Sequence, residues 1–437
     1  MAKTDQVEDS YFYKNLLFPF VVLLLLVGVS TFLFNSAAQS YIHNDTSIEA
    51  LIGTTTCRTS ASILATVCFV AFIVFFARKQ IHSWFAPLIL FFVAGQTLLF
   101  FLPTPVIRTE LAPSADLAFY LNTLLSNWQG FLTFFLLSLV KPGLLTIVVW
   151  GVINQITKLS EGMKYYIPLA LFSGLLLTPP SFFETAFEHS RLLILGSIVF
   201  LVATLFVFRS ICKKLPLERW EEDTKEKAEP STITTPIIFG FAFGGFTLMS
   251  TLMRTFIKAL PKDGTPAWFS NYPLIIGIGV LTLSIPVAYF GYWLLKKKGW
   301  QLAVLTPPLI VSQSIALSYV LHLLNAFTAE FVVINQVLLA TLSSAFLFPV
   351  LQIGYLSLPK ANRFSTKAWA EIIIVPLVAG SGTFIVQSLL TAFGTLKAAT
   401  VYLPPIAIAV AIAMSMLIGI IGKRKLLSNQ KDSLRQI

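Results

Sequence analysis

Apolar residues in this chain come in long runs, and the length of those runs constrains the fold more than any other feature. A helix needs on the order of 20 apolar residues to cross the hydrocarbon core of a bilayer. Runs approaching or exceeding that length fall at 17–37, 63–77, 84–102, 128–153, 166–183, 192–208, 235–256, 272–295, 302–324, 331–356, 372–393 and 401–421. Hydrophobic residues make up 56% of the 437 and charged residues 12%, with mean hydropathy +0.79. The charged share of a soluble domain is about a quarter. An all-α integral membrane protein of about twelve transmembrane helices is therefore expected. The fifth run is the least regular, because Pro179-Pro180 interrupts it and proline removes a helical donor.

The cations test this count independently. With the N-terminus inside, the outer segments and outer helix ends hold Arg58, Arg108, Arg191, Arg254, Lys258, Lys262 and Lys397. The inner segments hold all the others except Lys141, among them Lys296-Lys297-Lys298, the pair Lys213-Lys214 and the set Lys360, Arg363 and Lys367. Cytoplasmic loops are enriched in Lys and Arg, so both termini are expected to be cytoplasmic. The excess of 31 Lys and Arg over 20 acids then reflects membrane orientation, and no nucleic-acid partner is expected. The N-terminal MAKTDQVEDSYFYK carries acids and does not read as a signal-peptide n-region, so the first apolar run should persist as a helix.

The charged stretch CKKLPLERWEEDTKEKAEPS is too polar to pack a core and reads as a linker. The expected organisation is a tail at 1–16, a six-helix half at 17–211, a cytoplasmic linker at 212–234, a second six-helix half at 235–422 and a tail at 423–437. Six spans, an inner linker and six more spans describe the major-facilitator bundle, in which substrate binds between the halves near mid-membrane.

The stretch NWQGFLTFFLLSLVKPGLLTIVVWGVINQITKLSEGMKYY, 127–166, carries the sharpest chemical signal. Lys141 stands near the middle of an apolar run, where an isolated cation costs about 2.5–3.5 kcal/mol. Pro142-Gly143 breaks the helical ladder beside it, which is tolerated where backbone lines a pathway. The plainer alternative is a lysine that snorkels or meets a backbone carbonyl.

Two blocks go beyond topology. VVWGVINQIT (148–157) with KYYIPLALFSG (164–174), and FLFPVLQIGYLSLPKANRFSTKAWAEIIIVPLVAGSGTFIVQSLL (346–390), resemble spans four to five and ten to eleven of the non-mitochondrial ATP:ADP antiporter family of plastids and intracellular bacteria. In the second block Pro349, Tyr355, Lys367, Ala368, Ser381, Gly382 and Gln387 fall in register. The resemblance implies a nucleotide exchanger of the bacterial inner membrane. The departures fall on the charged positions. His43 and Ser138 stand where the family has a Lys and an acid, Arg254 replaces another acid while Lys258 is kept, and Leu351-Gln352 replaces a Lys-Glu pair. Ala379 or Gly380 stands where the family has the Lys before Ser-Gly. Polyphosphate transport relies on such charges, so classical ATP/ADP exchange is expected to be weak or absent.

Lys141, Arg254 and Lys258 are the expected contacts to the anionic part of a substrate, with Gln129, Asn35 and Gln387 as polar contacts. The plainer reading places Arg254 and Lys258 at the membrane interface. For proton coupling, the alternative to exchange, the titrating groups would be His43, Glu184 or His322; a hydrogen-bonded structural role is the plainer reading of His322. Cys57, Cys68 and Cys212 show no metal or redox spacing. Gly240, Gly244 and Gly245 suit close helix packing better than a phosphate cradle, since no GK[ST] follows. No catalytic set or cofactor motif is visible. The expected protein is a monomeric secondary transporter of an anionic, phosphate-bearing small molecule. The rival readings are a facilitative or proton-coupled carrier of a non-nucleotide solute, and a non-transporting receptor or scaffold.

Overall fold

A computed structural model describes residues 16–40, 48–76, 81–102, 117–140, 149–157, 161–162, 165–166, 168–169, 190–214, 234–258, 272–324, 329–356, 358, 360–393 and 401–422. All regular secondary structure among them is helical. The first helices are α1 (Phe18–Ser40), α2 (Ile48–Phe76), α3 (Ile81–Phe101), α4 (Leu117–Ser126), α5 (Trp128–Val140), α6 (Trp150–Ile156) and α7 (Ser190–Lys214). The later ones are α8 (Thr234–Lys258), α9 (Tyr272–Lys298), α10 (Trp300–Leu323), α11 (Ala329–Thr341), α12 (Phe348–Leu356), α13 (Lys360–Ala368), α14 (Val375–Phe393) and α15 (Leu403–Gly422). Among the described residues seven spans are long and apolar enough to cross a bilayer, and shorter apolar helices occur at Thr56–Ala71, Phe85–Phe101, Trp128–Leu139 and Leu403–Ile418. The expected fifth span, 166–183, lies largely outside the described residues.

The chain forms two compact units, Met1–Ile156 with Ser181–Lys225, and Thr157–Pro180 with Glu226–Ile437. One boundary falls inside the 212–234 stretch, and residues 157–180 group with the second unit.

In the first unit α7 packs along α1 and α3, and α5 packs on α2. A serine clamp ties α1 to α7: the Ser30 and Ser197 hydroxyls are 2.8 Å apart and Ser197 Oγ donates to the Ser30 carbonyl at 2.9 Å. Lipid gives little hydrophobic drive between helices, so small side chains and hydrogen bonds hold them together.

The second unit is built on α8, which packs against α14, α15 and a π-helical segment, Trp369–Ile374. A Cβ on Gly240 would lie 2.5 Å from Ile374 Cβ, one on Gly244 2.9 Å from Val378 Cβ, and one on Gly382 2.5 Å from Leu248 Cδ1. The partners advance by four residues on each side, so α8 and α14 run parallel with backbones close together. The three seventh-span glycines thus act in packing, and Gly245 faces Met414 on α15. Gly240→Ala must push Ile374 aside, and overpacking of this kind costs about 1–3 kcal/mol. A lowered Tm of the purified variant is expected; an unchanged Tm would show that the two helices separate freely.

A second π-helical segment, Leu342–Leu347, joins α11 to α12. It ends just before Phe348-Pro349, where the proline cannot donate to the preceding turn. Gly299, at φ +89°, makes the turn from α9 to α10, a conformation that glycine adopts without a Cβ penalty. The following Trp300 sends its indole Nε1–H to the Val350 carbonyl at 2.9 Å, anchoring α12.

Candidate functional site

Asn35 on α1 and Gln129 in the first turn of α5 are half-buried on helices that touch each other. Gln129 offers its backbone carbonyl to Thr133 Oγ1 at 2.9 Å. Arg254 and Lys258 stand in the last two turns of α8, Gln387 on α14 and His322 near the end of α10. Continuing the α8–α14 register from Leu248 against Gly382 puts Arg254, Lys258 and Gln387 at the same end of the parallel pair. Lys141, His43 and Glu184 lie outside the described residues.

At the other end of that pair sits a polar cluster that sequence reasoning did not assemble. Lys367 groups by sequence with the inner loop cations, yet it is on α13 and 2% exposed. It donates from Nζ to Gln352 Oε1 on α12. Its Nζ lies 3.5 Å from Glu371 Oε1, one helical turn on. Gln352 Nε2 donates to the same carboxylate oxygen at 2.9 Å. The ammonium also sits 5.2 Å from the Tyr355 ring centroid, at cation–π distance. Tyr355 stacks on Phe239 of α8 with centroids 4.5 Å apart. Gln352, Tyr355 and Glu371 are buried, and Glu371 Oε2 has no hydrogen-bond partner among the described residues.

The local sequence explains the arrangement. Gln352 and Tyr355 are three apart and so share a face of α12, while Lys367 and Glu371 are four apart and share a face of the next span. The helix begins at Lys360 rather than at Ile372, where the apolar run begins, because the polar stretch KANRFSTKA is itself helical. Arg363 holds the intervening turn: Nε and Nη2 donate to the carbonyls of Leu358 and Leu356 at 2.7 Å, and Nη1 to that of Thr157 at 3.3 Å. These carbonyls are the orphan acceptors that a helix end leaves. The signal available in the sequence was the Lys367–Glu371 spacing; its partner Gln352 lies on another span. In the first unit Gln96 on α3 is fully buried, and neither amide atom has a partner among the described residues.

No family model matches the chain, and no curated protein matches it. Solved structures do. A bacterial homologue of the iron transporter ferroportin, in an outward-facing state, aligns with TM-score 0.65 at 14% identity over 93% of this chain and 100% of that one. The human organic anion transporter MFSD10 aligns with TM-score 0.65 at 11% identity over 93% and 99%. The major-facilitator proton:xylose symporter XylE aligns with TM-score 0.62 at 12% identity over 94% and 96%. The chain has the major-facilitator fold. It is an integral, multi-pass membrane protein.

Proposed function

We propose that the protein is a secondary transporter that moves an anionic, phosphate-bearing metabolite or nucleotide across the bacterial inner membrane by alternating access. The observation that carries this reading is the match to complete major-facilitator transporters over more than nine-tenths of the chain. Those neighbours are named for an iron transporter, an organic anion transporter and a sugar symporter, so the fold leaves the solute open. The anion follows from cations on spans. Lys141, Arg254 and Lys258 are the proposed contacts to the anionic part of the substrate, with Gln129, Asn35 and Gln387 as polar contacts.

The resemblance to ATP:ADP antiporters supports a divergent relative working as a monomer. Exchange is the coupling that the resemblance implies. Proton coupling is the second reading, and the buried Lys367–Glu371 pair favours it. A radiolabelled uptake screen in a heterologous host, covering nucleotides, nucleotide sugars, NAD and sugar phosphates, tests the substrate class. Uptake of one of these above the empty-vector level is expected, and uptake of none would count against it.

Both termini and the linker are assigned to the cytoplasm. Cysteines introduced at Asp45 and Asp263 should react with impermeant thiol reagents in intact cells, and one at Lys225 should react only after the membrane is opened. Labelling at Lys225 from outside would reverse the orientation.

A further inference from the structure

We propose that Glu371 is the proton-carrying group of the transport cycle, with Lys367 the charge it exposes when protonated, so that anion movement is coupled to a proton. This rests on the transporter reading and names its coupling site.

The geometry separates the two carboxylate oxygens. Oε1 takes the Gln352 amide and the Lys367 ammonium, while Oε2 has no hydrogen-bond partner among the described residues. A buried ion pair kept only for structure repays its desolvation when the remaining lone pairs are also satisfied, and here Oε2 has no such partner among the described residues. A proton taken on Oε2 leaves the Gln352 bond to Oε1 intact. The cluster then passes from a neutral pair to one net positive charge on Lys367, still held by Gln352 Oε1 and the Tyr355 ring. That charge can be offset by an anion.

The remaining neighbours sharpen this assignment. From α12 the Tyr355 hydroxyl faces the carboxylate, and from α13 Lys367 does. The stretch of α8 around Gly240 that packs on this segment, 234–253, carries no ionisable residue, and neither does α14. Among the described residues, the ionisable groups at the cluster are therefore Glu371, Lys367 and Tyr355. Burial keeps a proton from passing freely: it binds at Oε2 when the cluster opens to one side and leaves the same oxygen when it opens to the other. The π-helical backbone under Glu371 (Trp369–Ile374) has the widened hydrogen bonding often found at functional sites in helices.

The test uses the full-length protein reconstituted in liposomes. Infrared difference spectra between high and low pH should show, among the protonated-carboxyl stretches, a component that is missing from Glu371→Gln. It should also be missing from Lys367→Met/Glu371→Gln, a double variant that leaves no buried charge unpaired. In liposomes loaded with a pH dye, inorganic phosphate, ATP and glucose 6-phosphate are added in turn outside. Any that the parent takes up should acidify the lumen, and whatever uptake survives in the double variant should carry no acidification. Carboxyl stretches that are the same in parent and both variants, or equal acidification per anion in parent and double variant, overturn the proposal. If none of the three anions is taken up, the infrared result still decides the coupling site, and the proposed substrate class fails separately.

Discussion

Glu371→Gln is expected to destabilise the purified protein by about 3–5 kcal/mol, because it strands the Lys367 ammonium in a dry site. Lys367→Met should be damaging for the reciprocal reason. The double variant Lys367→Met/Glu371→Gln should recover most of that loss. Its introduced amide can still accept from Gln352 Nε2, and no charge remains to be compensated. Tm values for parent, both single variants and the double variant close the cycle. A coupling energy near zero would mean that the 3.5 Å pair does not act as a unit, and additive losses would show the same.

Lys141→Gln and Arg254→Gln are expected to lose anion uptake while folding at least as well as the parent. A desolvated ammonium beside a helix break costs several kcal/mol unless hydrated or paired, so Lys141 is a liability to the empty protein if its partner is the substrate. Loss of such a contact should raise KM by at least about tenfold, roughly 1.4 kcal/mol. Lys141→Arg should recover only part of the uptake, since a planar fork does not replace a compact charge. The structural alternative reverses the order, with lowered Tm and surviving transport. Measuring uptake and Tm on the same preparations separates the two.

Helix position was legible for several of the apolar runs, though the helix expected at 63–77 begins earlier, at Ile48. The run 235–256 became Thr234–Lys258 and the run 302–324 became Trp300–Leu323, because bilayer thickness sets both the run and the helix. Hydropathy starts the eleventh span at Ile372, yet its helix begins at Lys360. A polar turn that caps and extends a membrane helix does not register in hydropathy. The grouping of Lys367 with the loop cations has the same cause. What buries it is Gln352, fifteen residues earlier on a neighbouring span, and a partner of that kind leaves no periodic trace. Of the two π-helical segments only one had a local cue, Pro349. The seventh-span glycines were readable, since small residues at four-residue spacing mean close helix approach in a bilayer, and the contacts of Gly240 and Gly244 are of that kind.

Solute counterflow into proteoliposomes tests whether the protein is a secondary transporter of an anion. Vesicles loaded with unlabelled solute would be offered the labelled solute outside, with pairs that differ only in the phosphate: adenosine against its phosphorylated forms, glucose against glucose 6-phosphate. A transient overshoot is expected for a phosphorylated member and none for its neutral partner. Added salt should also weaken competition between anions, as screening requires. An overshoot for the neutral partners alone, or none for any solute with protein shown to be folded and inserted, would contradict anion transport.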